Sequence, residues 1–270
     1  MQERIALAIA SLVLVVGAVA SAVGVGSEDD APLALATTAP ATLAPTTAPS
    51  PTGSPAATPS AQASPTVAPT AAPTGGLAAA VPPKPGTYRY REVSEADTTQ
   101  ETLRITDKGA GRQTEEDGEV TSEVAWRDDG KYILETTFTA QQGGFRCDWD
   151  PDVIEYKLPL APGTTWRVQN SCAVAQGFTI EIDSTSRVTG SEKTSAAGQT
   201  VDTWVIHSEG TLTFRTPQGS SKQTITADDR FSPVHGLSVR LSETVSGPDP
   251  ATGENVNESS TRELLNLTPA

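Results

Sequence analysis

Hydrophobic and polar positions divide this chain of 270 residues into three stretches. Residues 5–26 form an unbroken run of uncharged, mostly apolar side chains. Residues 31–83 contain no ionisable side chain and consist mostly of Ala, Pro, Thr and Ser. The aromatic residues, four Trp, four Tyr and five Phe, all follow between Tyr88 and Phe231. Because aromatic side chains dominate the burial of apolar surface in cores, only the third stretch is predicted to fold as a globular domain.

Alternation of apolar and polar side chains with a period of two dominates the third stretch, and no window shows a sustained helical stripe. Residues 120–126 and 132–138 are two such alternating runs, and they flank an Asp-Asp-Gly turn. This arrangement is typical of a β-hairpin. Within the second run, Tyr132, Leu134 and Phe138 are predicted to share one face. The pattern therefore predicts an all-β domain.

Further strands are predicted throughout the third stretch, separated by turns rich in Gly, Pro and Asp. They cover residues 87–93, 101–106, 165–170, 177–182, 201–208, 211–215, 223–227, 237–245 and 259–265. Turns are predicted at Asp117-Gly118, at Glu209-Gly210 and in the loop 247–253. About ten or eleven antiparallel strands predict a strongly curved sheet, a barrel or a sandwich.

Four short segments, in this order along the chain, resemble successive signatures of bacterial envelope β-domains called TapB-like. They are LPLAPGTTW at 158–166, VTGSE at 188–192, AGQTVDTWVI at 197–206 and FSPVHGL at 231–237. The resemblance covers about residues 158–245. It implies a curved antiparallel sheet or open half-barrel, similar in outline to lipoprotein-carrier folds, in an exported protein of undefined activity.

Residues 1–26 are predicted to be a signal-anchor helix. A helix over residues 5–26 is about 33 Å long, enough to span a bilayer core. Arg4 precedes the run and the acidic residues 28–30 follow it, which favours a cytoplasmic amino terminus and an external carboxyl terminus. A cleaved signal peptide is the alternative, since 18–20 (AVA) and 20–22 (ASA) are small-x-small cleavage sites. Both interpretations export the rest of the chain.

Residues 27–84 are predicted to be a disordered linker rich in Pro, Thr, Ala and Ser. Proline recurs every few residues, fixes φ and pushes the preceding residue toward extended conformations. The segment is therefore expected to be a semi-rigid spacer between the membrane and an extracytoplasmic β-domain at 85–270. Its composition is also that of O-glycosylated stalks.

Charge limits the partners of this chain. The formal net charge is −14, from 19 Lys and Arg against 33 Asp and Glu, and nearly all of it belongs to the third stretch. Such a surface repels nucleic acid, whose binding depends on cationic contacts, so nucleic-acid partners are excluded. The predicted partners are the membrane, through the amino-terminal helix, and an envelope ligand or protein.

Two cysteines, Cys147 and Cys172, lie in the predicted β-domain. In an oxidising compartment they are expected to form a disulfide, whereas separate thiols are the alternative for a cytosolic protein. The disulfide would close a loop of about 25 residues, and by the chain-entropy estimate it would stabilise the folded state by roughly 3 to 4 kcal/mol. The chain has neither a CxxC spacing nor a histidine close to either cysteine, so no metal site is predicted.

Candidate chemistry is sparse. The chain has two histidines, His207 and His235. A hypothetical catalytic triad would use Ser208 as nucleophile, His235 as base and Asp229 as orienting acid. No GxSxG, SxxK or HExxH pattern supports such a site, so no catalytic residue and no cofactor is predicted. Both histidines are expected to be exposed and structurally neutral.

Trp149 is the predicted ligand-contact residue, because it lies among acidic residues outside any clear strand and is expected to be exposed. Asp148, Asp150 and Asp152 around it resemble the start of a calcium loop. Position six of that loop is Val153 rather than Gly, so an acidic solvated turn is expected instead. The other three tryptophans lie in alternating strands and are predicted to be core residues.

The sequence thus predicts a non-enzymatic, membrane-tethered protein of the cell envelope with its β-domain outside the cytoplasmic membrane. An apolar or envelope ligand, or a protein partner, is the expected binding target. The alternatives are an extracellular hydrolase using His207 or His235, and a single-pass sensor that acts through a partner helix.

Overall fold

The structure is a computed structural model that describes residues 77–139, 144–173, 177–217, 219–250 and 253–270. The predicted signal anchor and all but the end of the predicted linker lie outside the described residues. The described residues include no helical segment with the length and hydropathy needed to span a bilayer.

The described chain consists of antiparallel strands, as the alternation predicts. They are β1 (Gly86–Ser94), β2 (Thr98–Gly109), β3 (Arg112–Asp117), β4 (Val120–Arg127), β5 (Gly130–Phe138), β6 (Phe145–Lys157), β7 (Thr165–Ala173), β8 (Thr179–Ala196), β9 (Gln199–Thr216), β10 (Gly219–Ser232), β11 (Leu237–Pro248) and β12 (Asn255–Leu264). The all-β prediction is confirmed.

These strands form one sheet in the order β6-β5-β4-β3-β2-β1-β12-β11-β10-β9-β8-β7. Strand β1 pairs with β12, with Tyr90 opposite Leu264, so the two ends of the domain lie side by side. Strands β6 and β7 are the edges of the sheet, although they follow each other in sequence. Each half is therefore a meander, and the two meanders join at the pairing of β1 with β12.

The two edge strands meet, and the sheet becomes a nearly closed barrel. The predicted disulfide between Cys147 of β6 and Cys172 of β7 is confirmed, with a Cα–Cα distance of 5.4 Å. Nearby, the Asn170 side-chain amide donates a hydrogen bond of 2.5 Å to the carbonyl of Pro151. This junction, hereafter the seam, is closed by a covalent bond and side-chain contacts, not by a ladder of backbone hydrogen bonds.

The predicted hairpin of residues 120–126 and 132–138 is present as β4 and β5. Its predicted face is wrong, because the register shifts where Leu134 has no partner on β4. A bulge of this kind reverses the alternation beyond it. Consequently Lys131 and Ile133 point inward with Phe138, while Tyr132 and Leu134 are only partly buried.

One predicted turn is wrong, and two strands were missed by the sequence analysis. The predicted turn at Glu209-Gly210 lies inside β9, where Gly210 pairs with Ser184 on one side and Ile225 on the other. A Cβ on Gly210 would come within 2.5 Å of the Ser184 Cβ, so glycine is required there by close strand approach and not by a turn. Strands β3 and β6, which carry many charged residues, were not predicted.

The buried apolar side chains form two clusters inside the barrel. The larger cluster spans β4 to β11 and contains the stacked rings of Phe138 and Phe145, with centroids 4.4 Å apart. It also contains Tyr156 and Phe231, again 4.4 Å apart. The smaller cluster gathers around Tyr88, Val239 and neighbouring side chains of β1, β2, β8, β9 and β12. Charged and polar side chains occupy the space between the clusters.

The described residues before β1 contact the barrel. The amide of Val81 donates to the carbonyl of Pro233 at 3.0 Å, and the Gln113 side chain donates to the carbonyl of Pro83 at 2.8 Å. Leu77 packs against the larger cluster. The end of the predicted linker is therefore part of the packed structure.

Candidate functional site

A cavity in the barrel interior, hereafter the chamber, is the candidate site. Its empty space is about 720 Å³ when the part open to solvent is included, and about 70 Å³ is room for the centre of a water-sized molecule. Its walls are mostly apolar side chains that share the inward face of neighbouring strands. They include Trp166, Val168, Ile182, Ile206, Ile225 and Leu241.

The chamber exists because adjacent strands carry small residues at matching inward positions. Ser186 of β8 lies opposite Ser208 of β9, and Ser208 lies opposite Ala227 of β10. Gly210 continues this row opposite Ser184. Larger barrels can enclose cavities, and the row of Ser, Gly and Ala leaves space here that larger inward side chains would occupy.

The two edge strands both line the chamber. Tyr156 of β6 and Trp166 of β7 are wall residues from opposite sides of the seam. The seam therefore forms part of the chamber wall, and its closure determines the chamber's shape.

Asp229 is the first of three buried carboxyl groups on the chamber wall. The Tyr156 hydroxyl donates to its Oδ2 at 2.8 Å, and the Ser238 hydroxyl donates to its Oδ1 at 2.6 Å. Burial raises the pKa of Asp229 to about 6, because desolvation of the charged form outweighs these two hydrogen bonds. Asp229 thus belongs to a satisfied polar network that joins β6, β10 and β11.

Glu155 is the second carboxyl group, and it is paired with the buried Lys131. The Lys131 ammonium lies 2.8 Å from Glu155 and 2.9 Å from Glu115. Burial raises the pKa of Glu155 to about 7, since one ammonium shared by two carboxylates does not offset the loss of water. Burial by itself lowers the pKa of Lys131, but the two carboxylates reverse that effect and raise it.

Glu243 is the third carboxyl group and differs from the others. Glu243 is 6% exposed, and its Oε1 has no hydrogen-bond partner among the described residues. Burial raises the pKa of Glu243 well above the usual range, and the charge of Glu92 adds to the rise. Its inward direction follows from the register, which places it opposite Ala227. Buried polar atoms are normally satisfied, so this oxygen requires an explanation.

A second charged group, centred on Arg262, lies in the interior between the two apolar clusters. The Arg262 guanidinium lies 2.6 Å from Asp117 and 3.6 Å from Glu101, and it covers the Tyr90 ring at 4.1 Å. Burial raises the pKa of Glu101 to about 8, against the opposing effect of Arg262, and nearby Glu92 adds to the rise. The barrel interior therefore contains more carboxyl groups than cations.

Trp149 does not occupy the position that the sequence predicts. It lies within β6 and is 6% exposed, because alternation places it on the same inward side as Cys147. Its indole N–H donates to the Thr136 hydroxyl at 3.1 Å. The predicted exposure is wrong, and a ligand-contact role for Trp149 stays a prediction without support from its position.

Two of the acidic residues near Trp149, Asp148 and Asp152, pair with arginines. Arg146 donates to Asp148 at 3.0 Å, and Arg127 contacts Asp152 at 2.5 Å. In the ranges that the structure describes, no group of three or more His, Cys, Asp or Glu residues is arranged to hold a metal ion.

The hypothetical triad of Ser208, His235 and Asp229 is not assembled in the structure. Ser208 shares a hydrogen bond of 2.8 Å with Ser186, and His235 instead contacts Ser232 at 2.9 Å. Asp229 accepts from Tyr156 and Ser238, as described above. His207 lies 3.0 Å from Asp228 on the outer face. The arrangement offers no nucleophile with a base and an orienting acid.

The tryptophans predicted as core residues are buried at 166 and 204 and partly buried at 126. Trp166 has a second role, since it also lines the chamber. Glu243, Glu155, Lys131 and Arg262 were missed altogether. One signal was present: Glu243 occupies the inward phase of an alternating strand, between Leu241 and Val245, where an apolar residue is expected.

Comparison with protein-family models found no match, and comparison with curated proteins found none. Among solved structures, the chain is similar to the crystal structure of the hypothetical lipoprotein YmcC from Escherichia coli. The two share 10% sequence identity at a TM-score of 0.35, and the match covers 69% of this chain and 87% of that chain.

Proposed function

We propose that this protein is a non-enzymatic binding protein whose barrel holds the apolar part of a ligand in the chamber. The observation that supports the proposal is the chamber itself, an apolar-walled cavity with three buried carboxyl groups on its wall. Ligand sites typically have mostly apolar walls with a few polar groups that fix the ligand's orientation. The walls of the chamber therefore suit an apolar or amphiphilic small molecule.

The proposal places the domain outside the cytoplasmic membrane, tethered by the predicted helix at residues 5–26 and the predicted spacer. The disulfide supports this placement, because such bonds persist in oxidising compartments. The signal anchor, its orientation and the kinship with TapB-like envelope domains are parts of the proposal that rest on the sequence alone.

Photolabelling of the full-length protein tests ligand binding. The probe is decanol carrying a diazirine near the end of its chain, and peptide mapping locates the label. We expect label on peptides containing Trp166 and Ile225, because both residues line the chamber.

Ala227→Leu is the variant that tests the location. The larger side chain enters the chamber, and an overlap of this kind costs roughly 1–3 kcal/mol. Labelling of the chamber peptides is therefore expected to fall by about 5- to 150-fold. Thr226→Leu is the matched control, because Thr226 is the exposed, outward neighbour on β10. Label that avoids the chamber peptides, or equal labelling of both variants, would refute the proposal.

A further inference from the structure

The unpartnered Glu243 carboxyl group defines a polar position on an otherwise apolar wall. Leu241 precedes it by one inward position on β11, and Ala227 lies opposite it on β10. Its exposed fraction is 6%, and its Oε1 has no hydrogen-bond partner among the described residues. A buried carboxyl group in this state is stabilised by any ligand that brings it a donor or a positive charge.

The cations of the barrel interior are already engaged. Lys131 lies between Glu115 and Glu155, and Arg262 lies against Asp117 and near Glu101. Among the described residues, Glu243 forms no ion pair. The charge that acts most directly on it is that of another carboxyl group, Glu92.

The surrounding charges favour a cation over other head groups. Among the described residues, seven inward carboxyl groups accompany two inward cations; the carboxyl groups are Glu92, Glu101, Glu115, Asp117, Glu155, Asp229 and Glu243. Burial disfavours the charged forms of several of these groups, so a cation beside Glu243 would stabilise its carboxylate and an anionic head group would oppose it. A neutral hydroxyl would satisfy one oxygen but supply no charge.

We propose that the chamber binds an amphiphile with a positively charged amine head group, which pairs with Glu243, while its hydrocarbon chain lies against Trp166 and Ile206. This assignment rests on the proposed function, since it names the ligand class of the same chamber. The amine supplies the charge that no Lys or Arg of the described chain supplies to Glu243. The apolar walls then bury the chain and exclude water from the ion pair.

Three matched probes test the assignment on the full-length protein in phosphatidylcholine nanodiscs. All carry the same diazirine-bearing decyl chain, and their head groups are primary ammonium, hydroxyl and carboxylate. Labelling of the chamber peptides is compared at equal free probe concentration. We expect the ammonium probe to label about tenfold more than the hydroxyl probe, as an added charge pair predicts. The carboxylate probe is expected to label least.

Glu243→Gln is the decisive variant, and Glu119→Gln is its control, since Glu119 is exposed in the turn between β3 and β4. The ammonium preference is expected to vanish in Glu243→Gln and to persist in Glu119→Gln. Labelling by the hydroxyl probe should stay the same in Glu243→Gln, which also shows that the chamber is intact.

Each outcome has one meaning. If the hydroxyl or carboxylate probe labels the wild-type chamber as strongly as the ammonium probe, the amine assignment is wrong while the proposed function stands. The same holds if the ammonium preference survives in Glu243→Gln. If none of the three probes labels the chamber, the proposed function fails, and the amine assignment fails with it.

Discussion

Breaking the disulfide is expected to destabilise the barrel and to open it at one place. Cys147 and Cys172 are 25 residues apart in sequence, and both are buried. For a loop of this length the chain-entropy estimate gives about 3.5 kcal/mol at 25 °C. No ladder of backbone hydrogen bonds joins β6 to β7, so the seam is held by this bond and by side-chain contacts. The loss of stability should therefore be concentrated at the seam.

Urea denaturation measures the global effect. The oxidised wild type is compared with the same protein after reduction and with the double variant Cys147→Ala/Cys172→Ala. We expect the free energy of unfolding to fall by about 3.5 kcal/mol on reduction, and further in the double variant because buried sulfur is lost. The control is Ser186→Ala/Ser208→Ala, which removes a cross-strand contact between ladder-paired strands and should cost about 1 kcal/mol.

Hydrogen exchange measures where the structure opens. In reduced protein, exchange is expected to accelerate in β6 and β7, while β1 and β12 stay protected by their shared ladder. A loss below about 1 kcal/mol on reduction would contradict the entropy argument. Acceleration spread evenly over all strands would contradict the concentration of the effect at the seam.

Three further predictions concern buried groups. Lys131→Met should lower the free energy of unfolding by about 3–5 kcal/mol in urea denaturation, because Glu115 and Glu155 lose their shared cation; no loss would show that the pairing is not stabilising. The native pKa of Asp229 is raised to about 6, so its contribution to stability is present below pH 4 and is lost as the pH rises through 6. Asp229→Asn should therefore gain about 3 kcal/mol relative to wild type between pH 4 and pH 7, and a pH-independent difference would refute this. Phe231→Ala should cost about 3–5 kcal/mol, as its side chain is fully buried against Tyr156, and a midpoint within error of wild type would contradict that packing.

Local sequence patterns predicted most of the strands, because the period-two alternation reflects a sheet with one buried face. They failed where the alternation is interrupted. The unpaired Leu134 reverses the inward phase of β5, which hid Lys131 from sequence analysis. Gly210 looked like a turn residue, yet it is a site of close approach between strands.

Most residues of the candidate site were not predicted from the sequence. Trp149 was singled out from its acidic neighbours, but its partners in the folded chain place it in the core. Glu243 was distinguishable only as a charged residue in the inward phase of a predicted strand, and Asp229 entered the sequence analysis only as the acid of a hypothetical triad that is not assembled. Their significance depends on which residues of distant strands face them, and that information is long-range.

By itself, the sequence determined that the third stretch folds and that it folds as antiparallel β-structure, and it predicted that Cys147 and Cys172 pair in an oxidising compartment. The first two follow from composition and from the alternation of apolar and polar side chains along the chain. The tertiary structure alone decided that the disulfide joins the two edges of the sheet and that small residues of β8, β9 and β10 line up to leave a chamber. It also decided that Glu243 faces that chamber without a partner. Closure and cavities arise from the register of many strands at once, which no local pattern of hydrophobic and polar residues specifies.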